Sequence, residues 1–170
     1  MSKIKANSLT IEFDTFGEPE AKPLLLVMGL GGQMIAWDEN FCQQLADAGH
    51  FVIRYDNRDV GLTTHFDDHG VPDFKELVVE FMTNGTVKVP YTLDDMAMDG
   101  ISLLDELGIE QAHICGVSLG GMIVQAMAIN HGDRILSMTS IMSTTGNPDL
   151  PPAHPEAMEA LTSERADDPQ

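Results

Sequence analysis

Gly116-Val117-Ser118-Leu119-Gly120-Gly121 carries the clearest fold signal in the sequence. It stands between a short apolar run at 112–115 and a longer one at 121–129, which predict a buried strand and a nearly all-apolar helix. A G-x-S-x-G motif in this context is typical of a nucleophile elbow, in which a strained strand-to-helix turn presents the serine hydroxyl. The alternative is a glycine-rich turn that only joins a strand to a helix. The sequence therefore predicts Ser118 as a catalytic nucleophile.

The composition indicates a globular chain with a strongly acidic surface. Of its 170 residues 43% are hydrophobic, and 27 acidic residues against 9 basic ones give a formal charge of −18. A chain of this size and composition can bury a core of its own. Nucleic acids and anionic membranes bind clusters of lysine and arginine, so we expect neither as a partner. A well-solvated acidic surface accounts for the charge, and a salt-tolerant setting is the alternative.

The N-terminus and the cysteines bear on the cellular compartment. Residues 1–6 contain no apolar signal segment, and no later run approaches the roughly 18 apolar residues of a membrane span. Cys42 and Cys115 fall in a predicted helix and a predicted strand, where small core residues are common, and their spacing suggests neither a metal site nor a disulfide framework. We expect a cytoplasmic protein with no metal and no organic cofactor.

Apolar runs and helical periodicity alternate along the chain. The predicted strands are 3–6, 9–16, 23–28, 51–53, 112–115 and 135–142, and the predicted helices are 37–48, 74–82, 92–107 and 121–129. The first two strands are expected to pair as a hairpin around Asn7 and Ser8. Thr92 and Asp95 have the spacing of a capping box at the start of a helix. This alternation predicts an α/β fold, a mostly parallel sheet with helices on both faces.

Four blocks of the chain resemble those of one large family and occur in the same order. They are 28–32 (Met-Gly-Leu-Gly-Gly), 54–63, 91–107 and 116–121. Together they resemble the α/β-hydrolase fold family over residues 9–145. The resemblance is strongest to its small-molecule ester hydrolases, in particular methylesterases that trim polyketide antibiotics. It implies the fold, but a family that hosts esterases, lactonases, dehalogenases and epoxide hydrolases does not by itself imply a substrate.

The residue at the elbow favours acyl transfer. Relatives that open epoxides or remove halides through an alkyl-enzyme have aspartate at this position, where this chain has Ser118. The resemblance implies that the backbone N–H groups of Leu119 and Leu30 form the oxyanion hole. Met28 stands where many relatives have histidine, a departure that a backbone donor tolerates. We therefore expect a small-molecule carboxylic ester as substrate, cleaved through an acyl-enzyme.

Charged residues follow the strand predicted at 51–53. Asp56, Arg58 and Asp59 resemble the turn after the family's fourth strand, where charged side chains tie loops together. For these three residues we expect a structural role in preference to a catalytic one.

A serine nucleophile requires a histidine base and an acid that orients it, and in this family both follow the serine. Only about fifty residues follow Ser118. The histidines expected at the opposite end of the sheet are His50, His113 and His131, and those expected in solvated loops are His65, His69 and His154. Asp149, just after the last predicted strand, is a candidate for a displaced acid.

Three hypotheses remain open. In the first, the chain is the N-terminal part of an ester hydrolase, an incomplete α/β-hydrolase fold without its last strand-helix units. Residues 1–145 are then its core and 146–170 the start of a cap or a tail. The strand at 135–142 becomes an exposed edge that forms a homo-oligomer or pairs with a complementary C-terminal chain. The second is a self-sufficient enzyme with a local base such as His65. The third is a non-catalytic binding or assembly protein that retains the fold.

Overall fold

The computed structural model describes residues 1–70 and 73–162. The strands in this part of the chain are β1 (Ser2–Ala6), β2 (Leu9–Phe16), β3 (Lys22–Val27), β4 (His50–Tyr55), β5 (Ala112–Val117) and β6 (Ile135–Ile141). Its α-helices are α1 (Glu39–Asp47), α2 (Phe74–Asn84), α3 (Leu93–Glu106), α4 (Leu119–Asn130) and α5 (Pro155–Thr162). None of these helices is long and apolar enough to cross a membrane.

All six strands form one sheet in the order β1-β2-β4-β3-β5-β6. The four strands from β4 to β6 in this order are parallel, whereas β1 and β2 are antiparallel to their neighbours. The predicted mostly parallel sheet is therefore confirmed. The β1–β2 hairpin turns at Asn7 and Ser8, both with positive φ (45° and 65°), the backbone of a tight two-residue turn.

Two layers of helices cover the sheet. Leu25 and Val27 of β3 point into the larger core, which α3 and α4 close, whereas Leu26 points to the opposite face and packs with Trp37 and Cys42 beside α1. Because both faces are covered, the strand needs apolar residues at successive positions, and this explains its continuous apolar run. The helices on both faces of the sheet are as predicted.

Helix starts follow local capping chemistry. The helix predicted from Trp37 begins at Glu39, because the Asp38 carboxylate accepts hydrogen bonds from two backbone N–H groups of the first turn at 2.9 and 3.3 Å. The capping box of Thr92 and Asp95 is confirmed at the start of α3. A cap is a local interaction, so its residues can be recognised in the sequence. The predicted start of α1 at Trp37 was nevertheless wrong.

Strand ends differ from prediction by one or two residues. β3 and β6 each end one residue earlier than predicted, whereas β5 continues to Val117. The helix after the elbow begins at Leu119 and not at Gly121. Ser118 therefore lies between a strand and a helix with no intervening loop.

A buried ion pair joins the loop after β4 to α3. The Arg58 guanidinium donates two hydrogen bonds of 2.7 Å to the Asp99 carboxylate, and the Asn7 amide donates a third of 2.7 Å. The Arg58 guanidinium carbon lies 5.4 Å from the Phe66 ring centroid and 4.9 Å from that of Tyr91. This cluster links the β1–β2 turn, the loop after β4 and α3. It therefore holds these three segments together at the carboxyl end of β4.

β6 lies at the edge of the sheet in the described part of the chain, where it pairs with β5 alone. Every β6 residue after Ile135 is exposed, including the apolar residues Leu136, Met138 and Ile141. The predicted exposed edge is therefore present in this structure.

Candidate active site

Ser118 occupies the turn between β5 and α4. Its backbone has φ 55° and ψ −119°, a region that residues with a Cβ seldom adopt. The Ser118 N–H donates a 2.9 Å hydrogen bond to the carbonyl of Ile141, which ties the turn to the end of β6. The side chain is exposed. The strand, strained turn and helix that a nucleophile elbow requires are all present.

The glycines of the elbow stand where backbones approach too closely for a side chain. A Cβ at Gly116 would overlap the carbonyl of Gly120, and a Cβ at Gly120 would overlap the carbonyl of Val27. At Gly121 it would overlap Ser143. The three positions therefore require glycine for packing, independently of any conformational preference.

The glycine loop after β3 lies beside Ser118. A Cβ at Gly29 would be 3.1 Å from the Ser118 Cβ and 3.6 Å from its Oγ. The Gly32 N–H closes the loop by donating to the Gly29 carbonyl at 3.2 Å, and Gly31 adopts φ 66°. The loop thus places the backbone of Leu30 at the same end of the sheet as the elbow.

Leu119 is the first residue of α4. The first N–H groups of a helix have no partner within the helix, and the helix dipole adds a partial positive charge there. An N–H at this position, next to Ser118, is suited to bind a negatively charged oxygen.

A cavity of about 340 Å³ is lined by both Leu30 and Leu119. Val60, Leu93 and Met96 provide apolar wall. This volume falls in the range of about 300–1,000 Å³ that is usual for small-molecule sites. The cavity therefore has space for a small apolar group beside Leu30 and Leu119.

A second cavity of about 490 Å³ adjoins the first and shares Asp59 and Tyr91 with it. Burial, with a hydrogen bond to Asp59, raises the pKa of Tyr91 to about 12. His65 and His69 also line this cavity. Its walls are therefore more polar than those of the cavity beside Leu30.

The charged residues after β4 hold loops in place. Asp56 accepts hydrogen bonds from the N–H groups of Met34 (2.7 Å) and Leu62 (2.9 Å). Asp59 accepts from the N–H of Phe66 at 2.6 Å. These contacts, with the Arg58–Asp99 pair described above, agree with the structural role expected for the three residues.

Sequence reasoning missed Asn57, which lies between two residues that it singled out. The Asn57 side-chain amide donates a 2.9 Å hydrogen bond to the carbonyl of Met28, the residue before the glycine loop. The one signal in the sequence was its position within the block at 54–63. No property of an asparagine there indicates that its partner lies 29 residues earlier.

The histidines do not meet Ser118. His50 and His113 lie at the amino ends of β4 and β5, with ring centroids 5.9 Å apart, and His131 caps the end of α4. His65 Nε2 lies 3.1 Å from the Gly61 carbonyl oxygen. Within residues 1–70 and 73–162, the Ser118 hydroxyl has no side-chain hydrogen-bond partner.

The other two residues weighed for acid–base chemistry lie on the exposed part after β6. The His154 imidazole is 3.5 Å from the Glu156 carboxylate, and both are exposed. Asp149 is exposed in a turn where its N–H donates to the Asn147 side chain at 3.0 Å. The described residues contain no cluster of three side chains suited to hold a metal ion.

Known proteins resemble this chain in sequence. Residues 22–164 match the family described as alpha/beta hydrolase fold. This chain belongs to the α/β-hydrolase fold family. It is 33% identical over 139 residues to rhodomycin D methylesterase DauP of Streptomyces sp. strain C5, which covers 82% of this chain and 41% of that protein. It is 31% identical over 133 residues to 3-oxoadipate enol-lactonase 2 of Acinetobacter baylyi, covering 77% and 40%.

Solved structures give the same fold. The enol-lactonase from Burkholderia xenovorans LB400 superposes with a TM-score of 0.66 and 25% identity, over 84% of this chain and 46% of that one. The predicted family and the predicted resemblance to polyketide methylesterases are confirmed. The chain spans about two fifths of the length of the relatives named above, which are hydrolases of small-molecule esters.

Proposed function

We propose that this chain carries the nucleophile and the oxyanion hole of a serine hydrolase of small-molecule carboxylic esters. The Ser118 oxygen attacks the ester carbonyl carbon, and the N–H groups of Leu30 and Leu119 bind the oxyanion that forms. The alcohol leaves with a proton, and water then hydrolyses the acyl-enzyme. The observation that carries the proposal is the positive φ of Ser118, an exposed serine on a turn whose glycines admit no Cβ.

The Ser118 hydroxyl needs a base to accept its proton, and the described residues bring none to it. We propose that the histidine and the acid lie outside residues 1–170. Residues 1–145 are the core of the enzyme, and 146–170 begin a cap segment. The limited share of the relatives' length that this chain spans supports the proposal.

The smaller cavity supports a substrate that has an apolar part. The smaller cavity has apolar walls at Val60, Leu93 and Met96, so an apolar part of the substrate is expected there. The relatives named as a methylesterase and an enol-lactonase both cleave carboxylic ester bonds. We infer an ester substrate in which the carbonyl lies between Ser118 and the two backbone donors.

Chemical rescue tests this proposal. Imidazole in solution supplies a base, so p-nitrophenyl butyrate hydrolysis by the chain should rise with imidazole concentration more steeply than the uncatalysed reaction does. The Ser118→Ala variant should lose that additional rate, and mass spectrometry should find butyryl on Ser118 of the unmodified chain. Equal rates for both proteins at every imidazole concentration would contradict the assignment.

A second candidate is a protein that keeps the fold for assembly. The exposed edge of β6, with Leu136 and Met138 open to solvent, favours it. Under this proposal a second copy or a complementary C-terminal chain pairs with β6. A stable oligomer in which Ser118 stays unreactive even with imidazole would favour assembly over hydrolysis.

A further inference from the structure

Two consecutive side chains hold both ends of the loop that carries Leu30. Asn57 donates from its side-chain amide to the Met28 carbonyl at 2.9 Å, and Asp56 accepts from the Met34 N–H at 2.7 Å. Both residues are buried: Asn57 is 2% exposed and Asp56 is 3% exposed. A buried amide or carboxylate is held in one orientation by such contacts, since losing them would leave a polar group unpaired.

The Met28 carbonyl is close to both segments that would supply the oxyanion-hole donors, the glycine loop after β3 and the start of α4. Its peptide bond leads into Gly29 and so sets the direction of the chain at Leu30. On its other side is the first turn of α4, where a Cβ at Gly120 would lie 2.7 Å from the Met28 oxygen. A displacement of this carbonyl therefore changes the position of Leu30 relative to Leu119.

We propose that Asn57 is a positioning residue of the oxyanion hole. Its amide fixes the Met28 carbonyl, and through it the Leu30 N–H is kept aligned with the Leu119 N–H. This inference rests on the proposed function, which assigns those two donors. Asn57 acts through the loop, so its effect is on the placement of a donor and not on substrate chemistry.

Asparagine suits this task better than the charged residues on either side of it. The amide donates to a carbonyl without introducing a charge, whereas an ionised carboxylate at the same place would face the Met28 oxygen and repel it. Asn57 also lines the smaller cavity, so it lies next to the site whose loop it positions.

Two variants and one control separate positioning from stability. Asn57→Leu and Asn57→Asp remove the donor to Met28. Thr64→Val is the control, because the Thr64 hydroxyl lies in the same loop after β4 and bonds the backbone of Thr10, accepting from its N–H at 2.9 Å, and not Asp56 or Met28. Urea unfolding measures the stability of each protein, and only folded samples are compared.

The first measurement is the rate at which a fluorophosphonate modifies Ser118 with imidazole present as base. Misplacing a group by about 1 Å can cost about 100-fold in rate, so the Asn57 variants should react about 10- to 100-fold more slowly than the unmodified chain. The ³¹P signal of the phosphonylated serine should also move, because it reports the hydrogen bonds to the phosphoryl oxygen. Thr64→Val should change neither. If the chain with the natural Asn57 reacts and the Asn57 variants react equally fast, the inference is overturned.

The second measurement does not depend on a reactive Ser118. The Leu30 amide signal in ¹H–¹⁵N spectra should shift, and its hydrogen exchange should accelerate, in both Asn57 variants while the Leu25 amide of β3 stays unchanged. In Asn57→Asp, acidification should return the Leu30 signal toward its original position, because a protonated carboxyl can donate to the Met28 carbonyl.

An unchanged Leu30 amide in folded variants would overturn the inference whatever the reactivity of Ser118. A shifted Leu30 amide in a chain whose serine never reacts would support the positioning and contradict the proposed hydrolase instead. If neither variant folds, exchange of the Asn57 side-chain amide in the unmodified chain decides. Slow exchange supports the hydrogen bond to Met28, and exchange as fast as in a free amide overturns it.

Discussion

Replacing Asp99 by asparagine is expected to destabilise the chain strongly. The carboxylate accepts two hydrogen bonds from Arg58 and one from Asn7, each of 2.7 Å. The side chains of Arg58 and Asp99 are 6% and 3% exposed, so the substitution leaves a buried guanidinium between Phe66 and Tyr91 without its counter-charge. Removing one partner of a buried pair costs about 3–5 kcal/mol. In a domain of this size that loss corresponds to a Tm lower by about 6–20 °C.

Asp105→Asn is the matched control, since Asp105 lies on the same helix and pairs with Arg134 at 2.6 Å. Its side chain is 54% exposed, and an exposed pair contributes about 1 kcal/mol or less. Urea unfolding followed by circular dichroism measures the free energy of unfolding of both variants. If Asp99→Asn costs no more than Asp105→Asn, the Arg58–Asp99 pair does not fix the β4 loop to α3.

Three further predictions concern the elbow, the second cavity and α3. Gly120→Ala should abolish the native fold or the reactivity of Ser118, whereas Gly132→Ala, where a Cβ meets open space, should leave both unchanged in thermal melts and labelling. Tyr91, with a folded pKa of about 12 against about 10 when unfolded, adds stability that is complete below pH 10 and lost as the pH rises through 12. Because burial also raises the pKa of Tyr55, absorbance at 295 nm should show no tyrosinate near pH 10 until the chain unfolds. Thr92→Ala removes the cap of α3 and should cost about 1 kcal/mol in urea unfolding.

Features encoded by neighbouring residues could be predicted from the sequence. The elbow at Ser118 was recognisable because a strand signal, a glycine-spaced serine and a helix signal are contiguous. The capping box at Thr92 depends on a residue only three positions away. The alternation of apolar runs gave the layered α/β architecture for the same reason, since each strand and helix carries its own periodicity.

Contacts between distant segments could not be predicted in the same way. Arg58 and Asp99 are 41 residues apart, and nothing in a single sequence pairs them. The contact of Asn57 with Met28 depends on β3 and β4 being neighbours in the sheet, an order that local patterns do not specify. The start of α1 was misplaced because Trp37 fits the helical periodicity, although Asp38 caps the helix one residue later.

Fluorophosphonate labelling with site mapping tests whether Ser118 is a nucleophile. Ser143→Ala is the matched control, since Ser143 is a partly buried serine beside Gly121 whose hydroxyl takes no part in the proposed reaction. We expect labelling on Ser118, its loss in Ser118→Ala and its retention in Ser143→Ala, with imidazole present as base. Labelling that persists in Ser118→Ala, or a folded chain that is never labelled, would contradict the assignment of Ser118 as nucleophile.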